Sequence, residues 1–366
     1  MKKILLAAGD RCGLLKVLPL YKALCEHDDY EAVLAAGAPL PEGERSGEKL
    51  PGVFGVSENV VLVEVGGGTS VNQIASAMNA FGELLAGEQP NLAVIAGDDD
   101  VSLAAALAAA KLSLPVASVG AGLRDYNRRS PAEINRVLID SVTDILFVSE
   151  HSGEYNLISE GVEKDRIFFV GEMLIDSLVA VIGRPNSSTV VDELGLEAKK
   201  YILVILDQAA SLDSIDVLKN IEGVVKAIAE KQPVLMLLGP DVVTVLQEHE
   251  MELAFTSVPG VQVRPLAAYV ELLRLVKDAL FVLTDSSLAQ VESTVMKVPC
   301  LTMLDDTTSP ATIEIGTNVL VGDRQEDILQ AVDEAFQGNL TKRMAIPEKW
   351  DGAVTGRIIG VLDRVL

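Results

Sequence analysis

The sequence predicts an α/β fold made of two doubly wound parallel-sheet halves, and three observations predict it. Short apolar runs recur along the chain, with helix-length segments between them. These runs are apolar throughout rather than alternating, which means burial on both faces, as in a parallel sheet. The series runs twice, and 366 residues suit roughly two domains.

Taken in order, the first series predicts strands at Ile4–Ala8, Val60–Val65, Leu92–Ala96, Val116–Val119 and Ile145–Val148. The opening MKKILLAAGD looks like a secretory leader only until Asp10 ends its apolar run, so it reads as a first buried strand. Ala36–Gly55, rich in Gly, Pro and Glu, reads as a long loop. Ser102–Leu112 is alanine-rich and predicts a closely packed helix. Gly183–Thr189 (GRPNSST) is the expected linker. The second series predicts strands at Ile202–Leu206, Val234–Leu238, Leu280–Leu283, Cys300–Leu304 and Val319–Val321. Between them, Ser214–Lys231 carries Ile215, Leu218, Ile221, Val225 and Ile228 at a helical period. The expected domains are 1–182 and 183–349, with a final helix 350–366 packing back on the first. Right-handed crossovers then place a ligand at the carboxyl ends of the strands, in an interdomain cleft.

Charge excludes several partners. Thirty Lys and Arg against 53 Asp and Glu leave a net charge of −23. A nucleic-acid backbone or an anionic membrane surface needs the opposite sign. Aromatics are 4% of the chain, too few for base-stacking platforms. No apolar window is long enough to span a bilayer. Cys12, Cys25 and Cys300 are an odd, scattered set that fits a reducing, cytoplasmic setting. Together with His27, His151 and His249 they show no zinc-ligand spacing, so neither a metal nor another cofactor is expected. His151 reads as a helix-start residue, and Cys12 as a small loop residue.

Several loops follow the predicted strands and carry polar residues: Gly9-Asp10-Arg11, Gly97-Asp98-Asp99-Asp100, Gly120-Ala121-Gly122-Leu123-Arg124 and Thr284-Asp285-Ser286-Ser287. Set beside GDDDVSLAAALAAAKLSLPVASVGAGLR, SPAEINRVLIDSVTDILFV, EGVEKDRIFFVGEMLIDSL, RPLAAYVELLRLVKDALFVLTDSSLAQVES, GTNVLVG and WDGAVTGRIIGVL, they resemble the UDP-N-acetylglucosamine 2-epimerase family. The likeness covers nearly the whole chain. It implies a GT-B fold of two Rossmann-like domains, a UDP-sugar ligand feeding cell-envelope polysaccharide, and a homodimer.

The family's reaction inverts C2 of the sugar by eliminating UDP and adding it back. It needs an acid/base pair near C2 and donors around the diphosphate. By resemblance, Asp98 and Glu133 handle protons. Arg11, Lys16, Arg124, Arg136 and Ser286 hold the substrate, and Gln290 and Glu292 meet the nucleotide. Each has a plainer reading: a surface pair for Arg11 and Lys16, a helix N-terminus for Asp98 and Glu133, an internal ion-pair network for Arg124 and Arg136. Departures fall on charged positions. Gly120 stands where the family has a glutamate, and Asp207-Gln208-Ala209-Ala210 where it has a histidine and arginines. Leu288 replaces a phosphate-loop glycine, and Asp306-Thr307-Thr308-Ser309-Pro310-Ala311 lacks an arginine. An aspartate ~4 Å from a diphosphate would oppose binding by about 4 kcal/mol. Three readings therefore stay open: a 2-epimerase or its hydrolysing relative with a rearranged site, a non-catalytic GT-B protein that binds a nucleotide sugar or a partner, and a glycosyl-transfer reaction.

Overall fold

In the computed structural model, residues 1–38, 49–56, 60–182, 189–208, 212, 214–340 and 344–366 are described. Thirteen strands fall into two all-parallel sheets. The first holds β1 (Lys2–Ala8), β2 (Tyr30–Ala38), β3 (Val60–Glu64), β4 (Leu92–Ala96), β5 (Val116–Val119), β6 (Ile145–Val148) and β7 (Ile167–Phe169), in the order β3-β2-β1-β4-β5-β6-β7. The second holds β8 (Ile202–Leu206), β9 (Val234–Leu238), β10 (Val261–Pro265), β11 (Val282–Thr284), β12 (Cys300–Thr302) and β13 (Asn318–Leu320), in the order β10-β9-β8-β11-β12-β13. The order reverses direction between β1 and β4, and again between β8 and β11. An open α/β sheet offers its ligand-binding crevice at such a switch point, outside the carboxyl ends of the strands.

Burial on both faces explains the unbroken apolar runs. In β8, Ile202, Val204 and Leu206 pack with Leu218, Ile221, Val225 and Ile228 on one face. Leu203 and Ile205 pack with Leu272, Leu275 and Val276 on the other. In the first sheet, Leu5, Ala7 and Ile95 share a cluster with Phe81, Leu85, Ala104, Ala105 and Ala108. The small side chains of helix Asp100–Lys111 let it lie close to helix Ser70–Glu88.

Three strands escape the sequence reading. β2 (YEAVLAAGA) is built largely of Ala and Gly, which carry little strand propensity. β7 and β10 are edge strands whose residues are only half-buried or exposed; β7 (IFF) is a three-residue run too short to stand out, and β10 (VQVRP) alternates apolar with polar residues. Part of the loop expected at Ala36–Gly55 is ordered: Ala36–Ala38 end β2, and Leu50–Val53 form a short helix. Positions 39–48 lie outside the described residues, as does nearly all of the expected linker.

Among the described residues the chain divides into two units. Positions 1–38, 49–181 and 348–366 form the first, and the described positions within 182–347 build the second. The closing helix Val354–Val365 belongs to the first unit because Asp176 caps it, accepting from Val354 N at 3.1 Å and Thr355 N at 2.8 Å. Tyr30 OH donates to Asp363 Oδ1 at 2.8 Å, and Trp350 Nε1 donates to Ser149 O at 3.1 Å. No helix among the described residues is long and apolar enough to cross a membrane.

Candidate active site

The first unit gathers its polar residues at the β1/β4 switch point. β1 ends at Ala8, and Asp10 is the N-cap of helix Arg11–Cys25, its Oδ1 accepting from Gly13 N at 2.7 Å. Gly13 lets that helix press on β4, since a Cβ there would lie 2.4 Å from Ala96 O. Burial, helped by Asp99 and Asp98 and opposed by the Gly13 amide and Lys16, lifts the Asp10 carboxyl to about 7. Lys16 is half-buried on the same helix. Burial works against its charge, but Cys12 (once ionised at high pH), Glu172, Asp98 and Asp10 outweigh it and raise its pKa. Such an ammonium stays cationic and is placed to hold an anion. Burial pushes the Cys12 thiol up, so it is not a thiolate nucleophile at neutral pH. Arg11 is half-buried in the first turn.

The triple aspartate after β4 sorts into three jobs. Asp99 is the N-cap of helix Asp100–Lys111. Its Oδ1 accepts from Val101 N and Ser102 N at 2.8 and 3.0 Å, and its Oδ2 from Ser102 Oγ at 2.6 Å. Gly9 makes room for it, because a Cβ there would fall 1.8 Å from Asp99 Oδ1. Asp100 accepts from Ser70 Oγ and from Asn135 Nδ2. Asp98 is the exposed member, its side chain 41% accessible, and it ion-pairs with Arg136 Nη1.

Arg136 is the hub of this loop cluster. It contacts Asp98, Asp125 and Glu133, all within the first unit. Glu133, in the first turn of helix Pro131–Val142, is buried. It also accepts from Asp125 N at 3.2 Å and Tyr126 N at 3.1 Å. Burial pushes its pKa up, but Arg136 and the two amides overcome that and hold it below the ordinary value. A carboxylate so held organises the loop, which is a different task from carrying protons. Arg124 is more deeply committed: its side chain is 1% exposed and pairs with Asp140 and Glu160, each at 2.8 Å. The geometry places it in an internal ion-pair network, not on a substrate.

The second unit shows a smaller cluster at the β8/β11 switch point. Asp285 follows β11, and its two oxygens accept from Asp207 N at 2.8 Å and Gln208 N at 3.2 Å. The Asp207 carboxylate packs over Gly239, where a Cβ would meet its Oδ1 at 2.5 Å. Ala209 and Ala210 lie outside the described residues. Ser286 is the N-cap of helix Ser287–Met296, and its side chain makes no capping bond. Leu288 is buried in the first turn of that helix. Gln290 Oε1 accepts from Thr307 Oγ1 at 2.8 Å, which ties the 306–308 loop to the helix. Glu292 is fully buried on the same helix.

The structure thus brings Asp98, Glu133 and Arg136 together, with Arg11 and Lys16 on the neighbouring loop and helix. Sequence reasoning passed over Asp10 and Asp125. Asp10 was legible as an Asp-x-x-Gly cap following a buried strand; Asp125 had no local signal.

Comparison with known proteins agrees with this architecture. The profile of a family described as UDP-N-acetylglucosamine 2-epimerase matches residues 44–363. A UDP-N-acetylglucosamine 2-epimerase of Methanocaldococcus jannaschii is 31% identical over 346 residues, covering 90% of this chain and 91% of that protein. A UDP-2,3-diacetamido-2,3-dideoxy-D-glucuronate 2-epimerase of Pseudomonas aeruginosa is 30% identical over 340 residues, covering 90% and 91%. The crystal structure of the M. jannaschii UDP-GlcNAc 2-epimerase in complex with UDP-GlcNAc and UDP aligns over 100% of both chains, with a TM-score of 0.87 and 29% identity.

Proposed function

This chain belongs to the UDP-N-acetylglucosamine 2-epimerase family, and from that premise we propose that it inverts C2 of the amino sugar in a UDP-sugar. One observation carries the reading. Near-full-length relatives act on two different UDP-sugars, and both are named for the same chemistry at C2. The shared part, a UDP-linked 2-acetamido sugar, is the substrate class assigned here.

In this reading the C2 proton passes to a carboxylate while the C1–O bond breaks, its electron pair leaving with UDP and a C1–C2 double bond forming. UDP then adds back at C1, and a proton reaches C2 on the opposite face. Asp98 is the exposed carboxylate at the switch point and serves as one proton carrier. Arg136 fixes its position, and Glu133 fixes Arg136. Lys16 and Arg11 hold the departing diphosphate, whose developing charge a fixed cation stabilises without reorganisation. In the second unit, the start of helix Ser287–Met296 offers its dipole and the Ser286 hydroxyl to a phosphate, and Glu292 belongs to the nucleotide side. The cytoplasmic setting and a homodimer complete the proposal.

The test is incubation of the purified protein with UDP-N-acetylglucosamine, followed by chromatography of the sugar nucleotides. The manno epimer accumulating to a constant ratio, with UDP as a minor species, is the expected result. Unchanged substrate with UDP bound would favour a binding protein instead.

A further inference from the structure

We propose that Asp10 is a catalytic residue of this epimerisation, exchanging the proton on one face of C2 while Asp98 serves the other. The inference rests on the epimerase reading above and deepens it.

Inversion at C2 needs a proton carrier on each face of the sugar, because the proton removed on one side is replaced from the other. Glu133 is occupied in holding Arg136 and the 125–126 amides. Gly120, at the end of β5, has no side chain to give, and its φ of +80° disfavours any other residue. Asp125 is likewise held by Arg136, and Glu172, buried near Lys16, accepts from Leu174 N at 3.1 Å. On the β1 and β4 loops the carboxylates are Asp98, Asp99, Asp100 and Asp10.

Asp99 and Asp10 are both helix N-caps, but they are not alike. Both oxygens of Asp99 are taken, by two amides and a hydroxyl. Asp10 is held by one oxygen only, through Gly13 N. Its Oδ2 accepts no hydrogen bond among the described residues. One oxygen is oriented and the other is left for a ligand. Gly97 of the β4 loop has no side chain to cover the carboxyl; a Cβ there would stand 3.7 Å from Asp10 Oδ1.

The surroundings suit a proton carrier beside a leaving anion. Asp98 and Asp99 on the β4 loop, and Lys16 six positions along the helix that Asp10 caps, all act electrostatically on Asp10. The Lys16 ammonium borders the space at Gly120, where a Cβ would lie 3.6 Å from Nζ. A cation in the same cluster as a carboxyl with an open oxygen is what expulsion of a diphosphate and transfer of a C2 proton require together. The Asp10 carboxyl sits at about 7, so near neutral pH it takes a proton as readily as it gives one. Capping alone does not call for this residue, since asparagine caps a helix as well as aspartate.

The step balances. In the forward half-reaction the C2–H pair forms the C1–C2 double bond, the proton goes to one carboxylate, and the C1–O pair leaves with UDP. In the return, the protonated carboxyl on the other face gives its proton to C2 as UDP oxygen bonds to C1.

The experiment uses Asp10→Asn in the full chain, which keeps the cap and the fold. Two quantities are read: UDP affinity by calorimetry, and deuterium wash-in at C2 of UDP-N-acetylglucosamine. The variant is expected to bind UDP within about threefold of wild type and to lose roughly 100-fold or more in wash-in. The limb near pH 7 in the wild-type kcat profile should vanish with it, and Asp10→Glu should restore part of both. Wash-in within threefold of wild type, with the pH limb intact, would overturn the role of Asp10 alone. A wild-type protein that binds the UDP-sugar but exchanges nothing would overturn it as well. Failure of wild type to bind UDP would instead strike at the epimerase reading, and the role of Asp10 would go with it.

Discussion

Arg136 donates from both Nε and Nη2 to a single oxygen of Glu133, at 3.0 and 2.8 Å. The two residues are one turn apart on helix Pro131–Val142, and the same guanidinium reaches Asp98 and Asp125. One cation therefore gathers three carboxylates from three places in the sequence, and Asp98 is aimed by a contact it does not control.

Removing that cation leaves the carboxylates facing one another. Arg136→Ala is expected to cost about 3–5 kcal/mol, the range for breaking a buried ion pair from one side. Arg136→Lys keeps the charge but loses the fork, and should recover only part of the stability. Denaturant unfolding of the two variants checks the order.

Glu133 makes the cluster sensitive to acid. Its pKa lies below the ordinary 4.5, so the stability it contributes is present above that value. It is lost as pH falls through the lowered folded pKa. Glu133→Gln should flatten this acid limb of the stability curve, while costing roughly 1–3 kcal/mol at neutral pH. Thermal melts between pH 3 and 7 read both effects.

Asp10 works in the opposite direction. Its folded pKa of about 7 exceeds the ordinary 3.8. The contribution of its protonated form is complete below the unfolded value and is lost as pH rises through 7. Wild type should therefore weaken between about pH 4 and 8, by roughly 2–4 kcal/mol once solvent screening is allowed for. Asp10→Asn should remove that slope, and the same melts extended to pH 8 show it.

Two glycines should respond to alanine with opposite signs. A Cβ on Gly122, at φ +77°, would fall 2.3 Å from Gly153 O, so Gly122→Ala is expected to cost about 3 kcal/mol or more. Gly82 lies inside helix Ser70–Glu88 with nothing within 4 Å of its Cβ position. Gly82→Ala should stabilise by about 0.5–1 kcal/mol. Unfolding midpoints of the two variants decide it.

In the second unit, Asp285→Ala would leave the amides of Asp207 and Gln208 without their acceptor. Asp285 is 1% exposed, so the expected cost is about 1–3 kcal/mol. Calorimetric unfolding measures it.

What the sequence makes legible follows from how local each signal is. β1 and β8 are buried on both faces, and their unbroken apolar runs say so. β2 hides because alanine and glycine fill its buried positions, and β10 because an edge strand alternates polar with apolar residues. Asp98 and Arg136 were each visible as site residues, yet they pair across 38 positions, a separation no window spans. The commitment of Arg124 to Glu160 is 36 positions away and equally hidden. Asp10 was in plain view, but a single aspartate opening a helix reads as a cap. Only the three-dimensional count of its hydrogen bonds separates it from Asp99.

The central claim is that a carbon-bound proton at C2 is removed and replaced. Proton NMR of UDP-N-acetylglucosamine incubated with the protein in deuterated water reads this directly. Loss of the C2 proton signal in step with the appearance of the manno epimer is the predicted result. Retention of full C2 proton intensity, with the sugar nucleotide demonstrably bound, would contradict it.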